Sequence, residues 1–213
     1  MDVALRRFLD AVRPRTRAAH LAAYEDVVAA LDRFLVHRRR SARHLRVCEL
    51  RSFLGYWYLR HHHLQSGGTA RRFCAALLVL VRWLALEREP ARGRALRAEA
   101  GRAARDTARA ARASELLLHV SPWGWSASNQ ALVDGYWEVV MRGTANVVLR
   151  GLGEREPVGP VLLPPAVVRA LRPGSILNLQ LARHEDHWRV VDHGLCYPPV
   201  AAPALRSAAP TLA

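Results

Sequence analysis

The sequence contains no lysine: all 32 of its basic residues are arginine. Genome composition and selection for guanidinium chemistry both produce such a bias, and the bias alone assigns nothing. Cysteine is nearly absent. Cys48, Cys74 and Cys196 are odd in number and widely spaced, which suits neither a secreted disulfide framework nor a clustered metal site. Cys48 and Cys74 are expected to act as small buried hydrophobes. The opening MDVALRRFLDAV lacks the continuous apolar stretch of a signal peptide, and the longest apolar run, Phe73 to Val81, is too short to span a bilayer. A cytoplasmic protein with no membrane partner is the expectation. There is also no Gly-rich phosphate loop of the Walker or dinucleotide type, and Ser121, Ser126 and Asp134 form no nucleophile motif with the histidines. Enzymatic chemistry and a bound cofactor are therefore not expected.

What is present is positive charge, placed unevenly. Up to residue 113 there are 24 arginines against 10 acids; from residue 114 on there are 8 against 8. The whole excess of +14 lies in the first half, and a focused positive field implies a polyanionic partner, nucleic acid before membrane surface or acidic protein. At 213 residues with 51% hydrophobic content, the chain is long enough for one large or two small domains with a real core.

The first half reads as helices. Residues 3–12 are amphipathic and stopped by Pro14. A longer helix from about Thr16 to His37 carries Leu21, Tyr24, Val28, Leu31 and Leu35 on one stripe. After the basic loop HRRRSARHLR comes a helix over 47–61, and after QSGG one so apolar that it should be central to a bundle. Residues 90–113 are rich in alanine and arginine. With Leu96 as the only large apolar residue, they predict a solvated connector helix with little to bury, or a basic stripe of Arg102, Arg105, Arg109 and Arg112 along a phosphate backbone.

After Leu118 the period moves toward two. Strands are expected in GYWEVVMRG, ANVVLRG, ILNLQLAR and HWRVVDHG, with turns at RPGS and HED, a turn-rich connector at GLGEREPVG and a short helix at LPPAVVRAL. The fold class is α+β: four to five helices, then a small β-barrel-like domain of SH3-like or OB-like kind. The expected organisation is a helical DNA-binding domain at 1–90, a connector helix at 91–117, a β domain at 118–200 and a disordered tail at 201–213.

On this frame, residues 14–88 resemble the core-binding domain of tyrosine recombinases and phage integrases, a SAM-like helical domain. The resemblance rests on Thr16, Tyr24, Leu31 and Phe34 in one helix, Phe53 and Leu54 in the next, and Ser66, Thr69, Arg72, Leu77 and Trp83 in the third. It implies that the first long helix and the Ser-x-x-Thr helix approach DNA. The remaining chain is too short and too β-rich for the family's catalytic domain, and the lysine that domain needs is missing, so the resemblance implies DNA binding without strand cleavage.

Arginines at the starts of those two helices oppose the helix dipole, a poor local choice but a good phosphate clamp. The expected contacts to double-stranded DNA are Arg13, Arg15, Arg17, Arg38, Arg39, Arg40, Arg43, Thr69, Arg71, Arg72 and Arg82. Two other readings stand beside this one. The chain could be an interaction module that binds an acidic protein and self-associates through its β domain, or an RNA or single-strand binder using Trp123, Trp125, Tyr136, Trp137, Trp188 and Tyr197 as stacking surfaces. His184, His187, His193 and Cys196 have the residue types for zinc, but an intervening strand would hold the two pairs apart, so no metal is expected. His61, His62 and His63 close a helix, where positive charge is favourable.

Overall fold

The computed structural model describes residues 1–62, 66–86, 88–120 and 132–208. They form two compact units, Met1–His62 with Gly68–Ala108 and His63–Gly67 with Arg109–Ala213.

The first unit is helical. Asp2 caps α1 (Val3–Val12) by accepting from the Ala4 N–H at 2.8 Å, and the helix buries Leu5, Phe8 and Leu9. A 3-10 turn at Arg13–Arg15 follows. Thr16 does not start the next helix: its hydroxyl donates back to the Val12 carbonyl at 2.7 Å, and α2 (Ala18–His37) begins behind Arg17, which caps it without a side-chain bond. Val28, Leu31, Phe34 and Leu35 of α2 are buried. The segment 47–61 is helical throughout but not uniformly so. A π-helical turn, Phe53–Trp57, separates α3 (Val47–Ser52) from α4 (Tyr58–His61) and turns Phe53 towards Phe34, their ring centroids 5.3 Å apart. The closing helix of the apolar stretch, α5, runs Gly67–Leu86 and buries Phe73, Leu77, Leu80, Val81 and Leu84.

The expectation that residues 91–117 have little to bury is corrected. They belong to α6 (Pro90–Leu117), whose Gly93, Leu96, Ala100, Ala103, Ala104 and Thr107 form one buried face, while Arg102, Arg105, Arg109 and Arg112 are exposed. Small side chains here allow close approach. A Cβ at Gly93 would stand 2.8 Å from the Ala85 carbonyl oxygen. Buried Glu99 takes Arg51 through two bonds, at 2.7 and 3.0 Å, and Arg102 at 2.8 Å; the bond from Arg51 is foremost in holding its carboxyl below the usual range.

In the second unit five strands close on themselves in the order β1-β2-β3-β5-β4. They are β1 (Leu132–Arg142), β2 (Asn146–Gly151), β3 (Pro157–Leu162), β4 (Ile176–His184) and β5 (His187–Tyr197), with α7 (Pro165–Ala170) between β3 and β4. Neighbours are antiparallel except at the closing seam, where β3 and β5 run parallel and register through the single pair Val161 and Trp188. Leu177, Leu179 and Leu181 alternate inward, as their period predicts, and all three are buried. β3 falls partly on the expected connector; its two prolines hide it from a strand pattern.

Two further expectations change. Residues 202–208 of the supposed disordered tail form α8 (Ala202–Ala208), with Leu205 fully buried; residues 209–213 lie outside the described set. Cys48 is exposed, whereas Cys74 and Cys196 are buried and burial pushes each thiol up to about 12.

The end of α6 is fastened to the barrel through Ser114. Its hydroxyl donates to the Ala110 carbonyl at 3.1 Å and accepts the Cys196 backbone N–H at 2.8 Å. Ser114→Ala leaves that buried N–H without its acceptor and should cost about 1–3 kcal/mol in chemical denaturation. Ser207→Ala, on an exposed hydroxyl, should change stability by less than about 0.5 kcal/mol.

Candidate nucleic-acid interface

A cluster of arginines is built by the loop between α2 and α3 and by the start of α6. At the end of α2 the Arg39 N–H reaches Val36 O at 3.0 Å and the Arg40 N–H reaches Leu35 O at 2.9 Å. This is a Schellman ending, and it places Arg39 at φ +52°, in the left-handed position usually taken by glycine. Ser41 then caps a 3-10 turn at Ala42–His44, accepting from the Arg43 N–H, and Asp2 accepts the Ala42 N–H at 3.1 Å.

One guanidinium holds this loop. Arg88 donates to the carbonyls of Leu45 (2.7 Å), Arg43 (2.8 Å) and Ala42 (3.0 Å). Desolvation lowers its pKa from the ordinary value, opposed by the charge of Glu49. Beside it Glu89 caps α6, accepting from Ala91 N (2.9 Å) and Arg92 N (3.2 Å), and those two bonds lower its carboxyl pKa.

Between loop and helix lies a cavity of about 900 Å³ lined by Arg39, Arg40, Arg43, Arg46, Arg88 and Arg92 and by one acid, Glu89, with the buried Leu45 and Leu96 beneath. Arg40 pairs with Glu49 at 3.4 Å. Arg39, Arg43, Arg46 and Arg92 form no ion pair with a carboxylate among the described residues, although Arg92 and Glu89 attract each other at longer range. The N–H groups of residues 39, 40 and 42–46 are spent on internal acceptors, so an anion here meets mainly side-chain guanidinium groups. Such groups bind phosphate and carboxylate in bidentate fashion.

Of the eleven expected contacts, the cavity gathers Arg39, Arg40 and Arg43. Arg38 instead lies over the Phe34 ring, 5.7 Å from its centroid. Arg13 pairs with Glu25 at 3.3 Å on the surface, and Arg15 and Arg17 are exposed near it in sequence. The helix-end geometry expected for Arg71 and Arg72 is corrected: α5 starts at Gly67, so both lie in its second turn. The first N–H of that helix is already taken by a carboxylate, with Gly67 N donating to Glu115 at 3.1 Å. Arg72 stands 3.4 Å from the Thr69 hydroxyl, and Arg82 is exposed roughly three turns further along α5. Arg46, Arg88 and Arg92 were not among the expected contacts. The Glu-Pro pair at 89–90 marks a helix start and was the one local signal for Arg92.

The other constellations resolve differently. His184 and His187 face each other across the β4–β5 hairpin with ring centroids 5.1 Å apart, while His193 and Cys196 lie further along β5 opposite Leu179 and Leu177. His187 is engaged on both nitrogens, by Asp186 at 3.1 Å and by Arg189 at 3.0 Å. His62 is half-buried and stacked on Tyr58, and desolvation, then Arg33, lowers its pKa, against the cationic state expected at a helix end. His63, Trp123 and Trp125 lie outside the described residues. Trp137 and Tyr197 are core side chains, with the Trp137 indole donating to Leu179 O at 3.0 Å; Tyr136 and Trp188 are half-buried. No helix among the described residues is long and apolar enough to cross a membrane.

Arg88→Met should destabilise the chain by about 2 kcal/mol or more, because three carbonyls lose their donor together. Arg88→Lys should recover only part of this, since an ammonium lacks the planar fork. Arg39→Gly should leave stability unchanged or raise it by up to about 1 kcal/mol, since glycine occupies the left-handed region without strain. Thermal and chemical denaturation measure all three. No protein-family model, no curated protein and no solved structure matches this chain.

Proposed function

We propose that the chain is a non-catalytic DNA-binding protein that grips the phosphate backbone of duplex DNA through its helical unit. The observation that carries this reading is the six-arginine cavity, lying within the half of the sequence that holds the entire charge excess. Affinity of this kind is largely electrostatic and insensitive to base sequence. The helical unit is read as a SAM-like bundle akin to recombinase core-binding domains, serving as a recombination accessory factor or regulator.

The barrel is read as OB-like. Support comes from its strand order, the helix between β3 and β4, and the parallel β3–β5 closure. That same order favours a second reading, RNA or single-strand binding through the barrel. Against it stand the balanced charge of this half and the inward placement of Trp137 and Tyr197.

Binding of the full chain to a duplex should weaken steeply with salt. In Arg43→Ala/Arg46→Ala the slope of log K against log salt should fall by about 1.8, at about 0.9 for each phosphate that is no longer neutralised. Arg15→Ala/Arg17→Ala and Arg71→Ala/Arg72→Ala test the other basic positions in the same assay. Duplex affinity that ignores salt, or that survives the cavity variant unchanged, sinks the proposal. A strong preference for single strands moves the function to the barrel.

A further inference from the structure

The cavity differs from an ordinary phosphate-tracking surface in shape and in charge. A duplex can lay its backbone phosphates along the rim of this recess of about 900 Å³ but cannot enter it, whereas a single nucleotide can. The charge is also too high for one backbone phosphate. A diester carries a single negative charge, whereas Arg39, Arg43 and Arg46 on the loop that Arg88 fastens, and Arg92 on α6, form no ion pair with a carboxylate among the described residues. A phosphomonoester carries about −1.5 to −2 at neutral pH and offers three acceptor oxygens, which suits several bidentate donors at once.

Arg39 adds an independent observation. A non-glycine residue at φ +52° opposes the local preference at a Schellman ending, where glycine would be easier. Strain retained at one residue of a cavity wall suggests that the side chain there is used.

We propose that this cavity is a nucleotide-sized site for a terminal phosphomonoester or pyrophosphate group, held by Arg39, Arg43, Arg46 and Arg92. Two sources share that chemistry, the phosphorylated end of a nucleic-acid strand and a free nucleotide. The proposal rests on the DNA-binding reading only for the first of these.

The test uses the full chain and four probes: a short duplex with 5′-phosphate ends, the same duplex with 5′-hydroxyl ends, ATP and inorganic pyrophosphate. The expected result is a saturable one-to-one complex in which the phosphorylated duplex, or ATP, binds about tenfold or more tighter than the hydroxyl duplex. Arg39→Gly, which eases the backbone, should bring that ratio close to one, and Arg43→Ala/Arg92→Ala should do the same with an unchanged circular dichroism spectrum. Displacement of the phosphorylated duplex by ATP at comparable concentration assigns the site to free nucleotide; resistance to ATP assigns it to the strand end.

Equal affinity for the two duplexes, together with no one-to-one binding of ATP or pyrophosphate, overturns the proposal. So does a preference that both variants retain. If the hydroxyl duplex alone binds, the DNA reading stands and this one falls; if ATP binds and neither duplex does, the reverse holds.

Discussion

The three hydrogen bonds from Arg88 to the carbonyls of Ala42, Arg43 and Leu45 are the contact on which the basic cavity depends. The loop they hold contains four arginines between residues 39 and 46, and like charges at that density repel one another and favour an extended chain. By charge alone, a fifth arginine is the wrong residue to hold them in place. It succeeds because it engages the backbone's carbonyl oxygens, which are the negative ends of the peptide dipoles, and leaves the side chains free to face the cavity. Asp2 completes the arrangement from the other side by accepting the Ala42 N–H. The loop is thus fixed by its main chain.

Elsewhere in the helical unit charge is handled by pairing. Glu99 is buried and satisfied by Arg51 and Arg102. Glu25 and Glu49 take one arginine each. Carboxylates are therefore spent where they cap or bridge, and the arginines left over are not evenly spread. The cavity wall keeps several of them without a partner among the described residues, a costly arrangement for an isolated fold and a useful one for an anion receptor.

Elements whose burial depends on large side chains could be read from the sequence. The α2 stripe through Val28, Leu31 and Leu35, the apolar α5 and the alternation of Leu177, Leu179 and Leu181 all stand where periodicity places them. The buried face of α6 could not be read in this way, because alanine carries little hydrophobic signal while its small size is what lets the helix approach α5 at Gly93. β3 was hidden by prolines and α8 by its position near the end of the sequence. Of the cavity, the local run Arg39–Arg43 was legible as a basic loop; Arg88 and Arg92 join it only through tertiary structure, some 45 residues further along the chain.

The barrel's closing seam has a consequence for association. Every other pair of neighbours is antiparallel and registers over several residues, whereas β3 and β5 register through Val161 and Trp188 alone. Opening the barrel there breaks fewer ladder bonds than opening it elsewhere, and it would expose two strand edges able to recruit strands from other molecules. The edge contributed by β3 is blunted in advance. Pro157 and Pro160 have no N–H to offer and restrict the backbone, which makes β3 a poor template for a strand arriving from another chain. The composition that hides β3 from a reading of the sequence also protects the barrel, at its most easily opened point, from growing by addition of its neighbours.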